Sequence, residues 1–346
     1  MHKFYPTSES AIGAMYEAVF LAEQSIYWET FIFRNDTFPA YDFMKVFKEK
    51  AKEGKKVVLI IDGFGGFWYD FGKTLEKDLR ESGVEVLFFR SWFRRIHRKI
   101  LIVDEKKIFI GGVNVAQEYM KWLDLNVLLT GKHIVATTLR SFARSYRFCG
   151  GVDERLLSLP KMEHLHKGKL WLIEQWPHID KLFLRRHYKD KIAEANKKIT
   201  FVTPYFFPHT WLVRSLKDAI GRGVMVEVIL PKKTDASFST FANHVFVKLL
   251  ENSGIHFYWS NTMIHAKTLL IDGEEGMVGS INLDQMSFDW NVEAGVFFRR
   301  KDMVRDLSKI IEEWRKNSTP YNSQSEVWRW YHKPFALLVR ILSPII

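Results

Sequence analysis

The sequence predicts an α/β protein made of two similar units related by a pseudo-twofold. Three observations carry that expectation. Apolar runs of strand length alternate with segments of helical apolar spacing. The alternation restarts near the middle of the chain. A polar motif embedded in one strand occurs twice, at the same place in each round.

The elements follow in order. Ser10–Gln24 has helical spacing, and Ser25–Phe33 (SIYWETFIF) reads as a buried strand. A helix around Ala40–Glu53 precedes the strand Lys56–Asp62 (KVVLIID). A helix near Thr74–Ser82 precedes Val84–Phe89 (VEVLFF). After the motif stretch Ile96–Val115, a strand near Asp124–Leu129 and a helix near Ile134–Tyr146 close the first half. The second half opens with a helix around Leu182–Ala195. KITFVTPYF (Lys198–Phe206) then echoes SIYWETFIF, VMVEVILP (Val224–Pro231) echoes KVVLIID, and IHFYW (Ile255–Trp259) echoes VEVLFF. Such alternation implies a layered structure around a largely buried sheet. Gly150, Gly151, Pro160 and mixed charge mark a boundary within Phe148–His166. The expected organisation is therefore 1–155, 156–322 and a terminal segment 323–346.

Composition narrows the class. An apolar share of 47% over 346 residues indicates a folded protein with a sizeable core. The single cysteine, Cys149, cannot form an internal disulfide, which suits a reducing compartment. No Cys/His cluster has zinc spacing. MHKFYPTSES carries no basic-then-apolar leader, and no run of about 18 uncharged apolar residues is present, so no spanning helix is expected. Basic side chains number 51 against 40 acidic ones, a formal net charge of +11 that favours an anionic partner.

The two copies of the motif align without a gap. His97, Lys99, Asp104, Gly111, Gly112 and Asn114 fall on His265, Lys267, Asp272, Gly279, Ser280 and Asn282. Residues two apart on a strand share a face, so each copy sets an imidazole beside an ammonium. If the halves pack about a pseudo-twofold axis, both pairs converge on one pocket. One imidazole can then attack phosphorus and form a covalent intermediate. The other can protonate the leaving oxygen and deprotonate the incoming acceptor. Lys99, Lys267, Asn114, Asn282 and the Ser280 hydroxyl can hold phosphoryl oxygens. With two lysines supplying positive charge, neither metal nor cofactor is expected. Asp124 and Glu293, 27 and 28 residues after their motif histidines, are candidates for orienting the imidazoles, each serving one Nδ1. Asp104 and Asp272 end their strands and read as anchors of turn or ion-pair type. One such match alone is weak, and a lone histidine in a strand is usually a satisfied core residue. Two copies with the same downstream G-[GS]-x-N, in equivalent places of a repeated unit, outweigh that reading.

A duplicated HxKxxxxD motif resembles the phospholipase D superfamily, and the resemblance covers nearly the whole chain. It implies two similar α/β domains, an active site at their interface and a phosphohistidine intermediate. It also implies His97 as nucleophile and His265 as general acid/base; the sequence itself does not distinguish them. SIYWETFIFRND, HRKILIVD…GGVNVAQEY, TPYFFP (Thr203–Pro208), GSINLDQMSFDWNVE and the terminal WRWYHKPFALLVRILSPII further resemble the bacterial cardiolipin synthases. Two departures stand out: the spanning or re-entrant N-terminal segments common in that family are not seen, and WLDLN puts Asn126 where a histidine is expected.

The expected reaction is phosphatidyl transfer between two phosphatidylglycerol molecules, giving cardiolipin and glycerol. Hydrolysis of phospholipids by the same machinery is the alternative, and a nuclease, favoured by the net charge, is another. A catalytically silent scaffold would have no use for two imidazole–ammonium pairs. The expected partner is an anionic phospholipid, met peripherally at the cytoplasmic face of a bacterial inner membrane, with no nucleic acid. Trp328, Trp330, Phe335, Leu338 and Ile341, interspersed with basic residues, make the terminal segment a membrane-contact candidate. The glycine-flanked Phe64–Phe71 and the arginine-rich Phe88–Lys99 are two further candidates.

Overall fold

The computed structural model describes residues 1–68, 71–161, 168–177 and 182–322. The terminal segment 323–346, with its five candidate membrane residues, lies outside them.

Strands β1 (His2–Thr7), β2 (Ser25–Thr30), β3 (Lys56–Asp62), β4 (Glu85–Phe89), β5 (Lys99–Val103), β6 (Lys107–Gly111) and β7 (Leu123–Thr130) form one sheet, ordered β1-β7-β6-β5-β2-β3-β4. The second sheet holds β8 (Leu170–Gln175), β9 (Lys198–Val202), β10 (Met225–Pro231), β11 (Ile255–Ser260), β12 (Thr268–Ile271), β13 (Glu275–Gly279), β14 (Glu293–Phe298) and β15 (Ser318–Pro320). Its order is β15-β11-β10-β9-β12-β13-β14-β8. Read from β8, this repeats the first sheet strand for strand and adds β15. Both sheets are mixed: β2 runs parallel to β3 and antiparallel to β5, as β9 does with β10 and β12.

Helices α1 (Ser8–Phe20), α2 (Phe43–Lys52), α3 (Gly63–Trp68), α4 (Lys73–Glu81), α5 (Lys132–Phe148) and α6 (Glu154–Leu157) accompany the first sheet. Helices α7 (Phe183–Glu194), α8 (Thr210–Gly221), α9 (Ser237–Leu249) and α10 (Lys301–Lys316) follow. No helix among the described residues is long and apolar enough to cross a membrane.

Two compact units divide the chain. The first is Met1–Glu174 together with Val278–Ser280 and Val292–Val296; the second takes the described remainder. The first unit thus includes two short pieces from late in the sequence, and one of them carries Glu293.

Strand alternation builds the first unit's core. Trp28, Leu101 and Val103 face the helical layer of α1 and α2, packing with Ile12, Met15, Phe43 and Phe47. Tyr27, on the opposite face of β2, meets Phe142 of α5 with ring centroids 5.4 Å apart. At the start of α1, Thr7 Oγ1 accepts from Ser10 N (3.2 Å) and Ser10 Oγ accepts from Thr7 N (3.4 Å), which settles the first-turn donors.

Candidate active site

The Asp of each motif closes a β-hairpin in the same way. Asp104, at φ +53°, accepts from the backbone N–H groups of Glu23, Gln24 and Ser25, at 2.7 Å to Gln24. Asp272, at φ +55°, accepts from those of Asn196, Lys197 and Lys198, each at 2.8 Å. Partial burial pushes both carboxyls up. The three N–H donors outweigh it and hold both below the usual carboxylate range. These carboxylates pin the hairpin to the start of the neighbouring strand, β2 in one copy and β9 in the other.

The glycines mark where backbones touch. A Cβ on Gly111 would lie 2.0 Å from Leu125 O, and one on Gly279 would lie 2.4 Å from Ala294 O. Only glycine permits that approach. At the next position the copies differ. A Cβ on Gly112 would sit 2.3 Å from Asp124 Oδ1, so the first copy leaves that space to a carboxylate. The second copy has Ser280 there, and its hydroxyl donates to Glu293 Oε2.

His97 and Lys99 sit just before and at the start of β5, on the face shared with Leu101 and Val103. His97 is 9% exposed. Its Nδ1 lies 3.0 Å from Glu293 Oε1 and 3.2 Å from Oε2, and its backbone N–H donates to Val292 O at 2.9 Å. Glu293 is fully buried. Burial pushes its carboxyl up, but His97, Lys99 and the Ser280 hydroxyl outweigh burial and hold it below its ordinary value. An ionised carboxylate only accepts, so the proton belongs on Nδ1 and the lone pair on Nε2. Of the two candidate orienting carboxylates, His97 takes Glu293. Asp124 is buried beside Gly112 and accepts from Leu125 N at 2.7 Å. The ring of Phe31 meets His97 edge-on, centroids 5.3 Å apart.

His265 and Lys267 are likewise buried, and the Tyr205 ring meets His265 edge-on at 6.4 Å. Each motif lysine donates to the carbonyl of its own histidine, Lys99 to His97 O and Lys267 to His265 O (2.5 Å). Asn114 and Asn282 are both buried, and among the described residues no hydrogen-bond partner reaches the Oδ1 of either. Two buried, unsatisfied amide oxygens beside the motif strands are polar groups waiting for a ligand donor or a water.

The sequence matches the family described as "Cardiolipin synthase, PLD-like domain" over residues 16–146 and 188–315. The chain belongs to that family. Among its relatives, the probable cardiolipin synthase YwiE of Bacillus subtilis is 29% identical over 334 residues, covering 90% of this chain and 65% of its own length. The cardiolipin synthase of Geobacillus kaustophilus is 27% identical, covering 98% of the chain and 71% of its own length. The chain thus spans about two thirds of the length of these relatives. The phosphatidylserine synthase of Haemophilus influenzae has the same fold (TM-score 0.78, 14% identity, 99% of this chain and 93% of that one). So has a polyphosphate kinase from Porphyromonas gingivalis, which this chain covers by 53% (TM-score 0.64, 12% identity).

For this member of the cardiolipin synthase family, sequence reasoning left three things unseen. It gave the Ser280 hydroxyl to phosphoryl oxygens, whereas the structure places it on Glu293. It counted Arg98 with the arginines of the Phe88–Lys99 candidate, whereas Arg98 points to the opposite face of the strand from His97 and is 0% exposed. There it meets Glu29, Glu174 (2.8 Å), Ser141 (2.7 Å) and Ser145, while Arg144 holds the other Glu174 oxygen (2.7 Å). The third is where Asn126, the noted departure from the family pattern, sits: on the same face as Asp124. It is buried behind the first motif's turn, where its Oδ1 accepts from Val113 N (3.4 Å). The signal for Arg98 was the period of two in H-R-K. Nothing local indicated how deep that other face lies.

Proposed function

We propose that this protein transfers a phosphatidyl group between two phosphatidylglycerol molecules at a membrane surface, giving cardiolipin and glycerol. The observation that carries the reading is the buried Glu293–His97 pair, which presents an imidazole with its lone pair on Nε2. That nitrogen attacks the phosphorus of the first lipid. A P–N bond forms, the P–O bond to glycerol breaks, and the leaving oxygen takes a proton from His265. His265 then removes the hydroxyl proton of a second phosphatidylglycerol, whose oxygen attacks the same phosphorus and releases His97. Lys99 and Lys267 let go of the histidine carbonyls to meet the phosphoryl oxygens. Asn114 and Asn282 complete the cradle through their Nδ2 donors. The names carried by the relatives support the lipid substrate, and the charge of +11 supports an anionic one. The cytoplasmic face of a bacterial inner membrane is the proposed place of action.

The test is mass spectrometry of products from purified protein mixed with phosphatidylglycerol vesicles, with a chelator present and His97→Ala alongside. Cardiolipin plus glycerol is expected from the wild type and neither from the variant. Phosphatidic acid as the sole product would make the protein a hydrolase, and turnover by His97→Ala would remove the phosphohistidine.

A further inference from the structure

The loop between β4 and the first motif, Arg90–Arg95, takes no part in the chemistry above. Its tip holds Trp92 and Phe93, 89% and 70% exposed. Arg90, Arg94 and Arg95 flank that tip. The loop also forms one wall of a cleft of about 860 Å³, lined further by Phe64 of α3 and by Lys73 and Glu76 of α4. The Arg95 guanidinium lies over the Phe64 ring, 4.2 Å from its centroid, and donates to Ser91 O at 3.1 Å. Asp62 ties the end of the loop to α3. Its Oδ2 accepts from Ile96 N (2.8 Å), and its Oδ1 accepts from Phe64 N (3.0 Å) and Gly65 N (2.9 Å).

An indole held out in water on a loop that also carries three arginines matches the chemistry of a lipid interface. There, aromatic rings settle at headgroup depth and basic groups are drawn to lipid phosphates. We propose that the Trp92–Phe93 tip anchors the protein to an anionic bilayer, with Arg90, Arg94 and Arg95 meeting phosphate headgroups. The proposal rests on the phospholipid reading above and adds where the membrane is met. The location matters because Trp92 and His97 are five residues apart, a reach of at most about 18 Å of extended chain. A tip at headgroup depth therefore holds the nucleophile within one short span of the phosphates it attacks. Single-stranded nucleic acid also stacks on exposed aromatics. The apolar rings of Phe64 and Phe88 lining the cleft favour lipid.

The full-length Trp92→Cys protein tests this. Burial pushes the Cys149 thiol up to about 12, so a maleimide fluorophore at neutral pH selects the new cysteine. On phosphatidylglycerol vesicles the emission is expected to shift to the blue and become shielded from iodide. On phosphatidylcholine vesicles it should stay as in buffer. Arg90→Gln and Arg94→Gln are each expected to weaken vesicle affinity about fivefold. An unchanged spectrum on phosphatidylglycerol vesicles that sediment with the protein would overturn the anchor. So would a shift produced only by a single-stranded oligonucleotide. A responding label with no lipid product keeps the anchor and rejects the reaction; product formed with a silent label does the reverse.

Discussion

At the scale of single residues, the Glu293 carboxylate sets the protonation of the site. Burial pushes its carboxyl up, but the His97 Nδ1 contact, the nearby Lys99 ammonium and the Ser280 hydroxyl donor outweigh burial and hold it below its ordinary value. Acidification that protonates it removes the acceptor that keeps the Nδ1 proton in place, so turnover falls on the acid side. Glu293→Gln is expected to lower kcat by about 10²- to 10⁴-fold while vesicle binding is unchanged. Steady-state rates on phosphatidylglycerol vesicles check this, and a loss under threefold would mean the carboxylate does not orient His97. In Ser280→Ala the carboxyl loses one stabilising donor, so the acid limb of the pH–rate profile should move to higher pH. An unmoved limb would confine Ser280 to packing. The sequence showed both candidate carboxylates. It could not show which histidine Glu293 serves, because that partner lies 196 residues away and is chosen by tertiary packing.

At the scale of elements, the two motif strands answer one packing problem differently. In the first copy Arg98 faces Glu29 across β2 and β5, and burial drives Glu29 up further than Arg98 can pull it down. Glu174 is held low despite burial, because Arg98 and Arg144 both reach it. In the second copy the corresponding residues are Ala266 and Val202, both buried. A buried ion pair and an apolar pair can fill the same place, but half of an ion pair cannot. Arg98→Met is therefore expected to cost about 3–5 kcal/mol, because it leaves Glu29 and Glu174 buried without their main cation. Adding Glu29→Val should recover part of that loss. Urea unfolding of the single and double variants measures it, and a double variant as unstable as the sum of the two singles would deny the coupling. The alternation in H-R-K was legible, as were most strands, because period-two apolar runs are local. The edge strands β1 and β8 went unread: HKFYPT is mostly polar, and LWLIEQ falls between the boundary read at Phe148–His166 and the helix read around Leu182–Ala195.

At the scale of the molecule, buried and anchored carboxylates set the response to acid. Asp104, Asp272, Glu174 and Glu293 all have folded pKa values below their ordinary ones. Each contributes stability that is complete above the unfolded value near 4 and is lost as the pH falls through the folded one. Burial raises Asp62 and Glu29, which work the other way and offset part of the loss. The urea midpoint is expected to be level from about pH 8 to 5 and to fall below that, with a shallower fall in Asp104→Asn. A midpoint that rises towards pH 4 would mean the raised pair dominates. The duplicated architecture was readable from two copies of one motif. The grouping of Val278–Ser280 and Val292–Val296 with residues from the other end of the chain was not, because it is made by tertiary packing. That interleaving constrains how such a chain can change over generations. A recombination that exchanged its second half for a relative's would replace the glutamate that meets His97 Nδ1. The halves, alike as they are, stay compatible only where the incoming half keeps a carboxylate at that place.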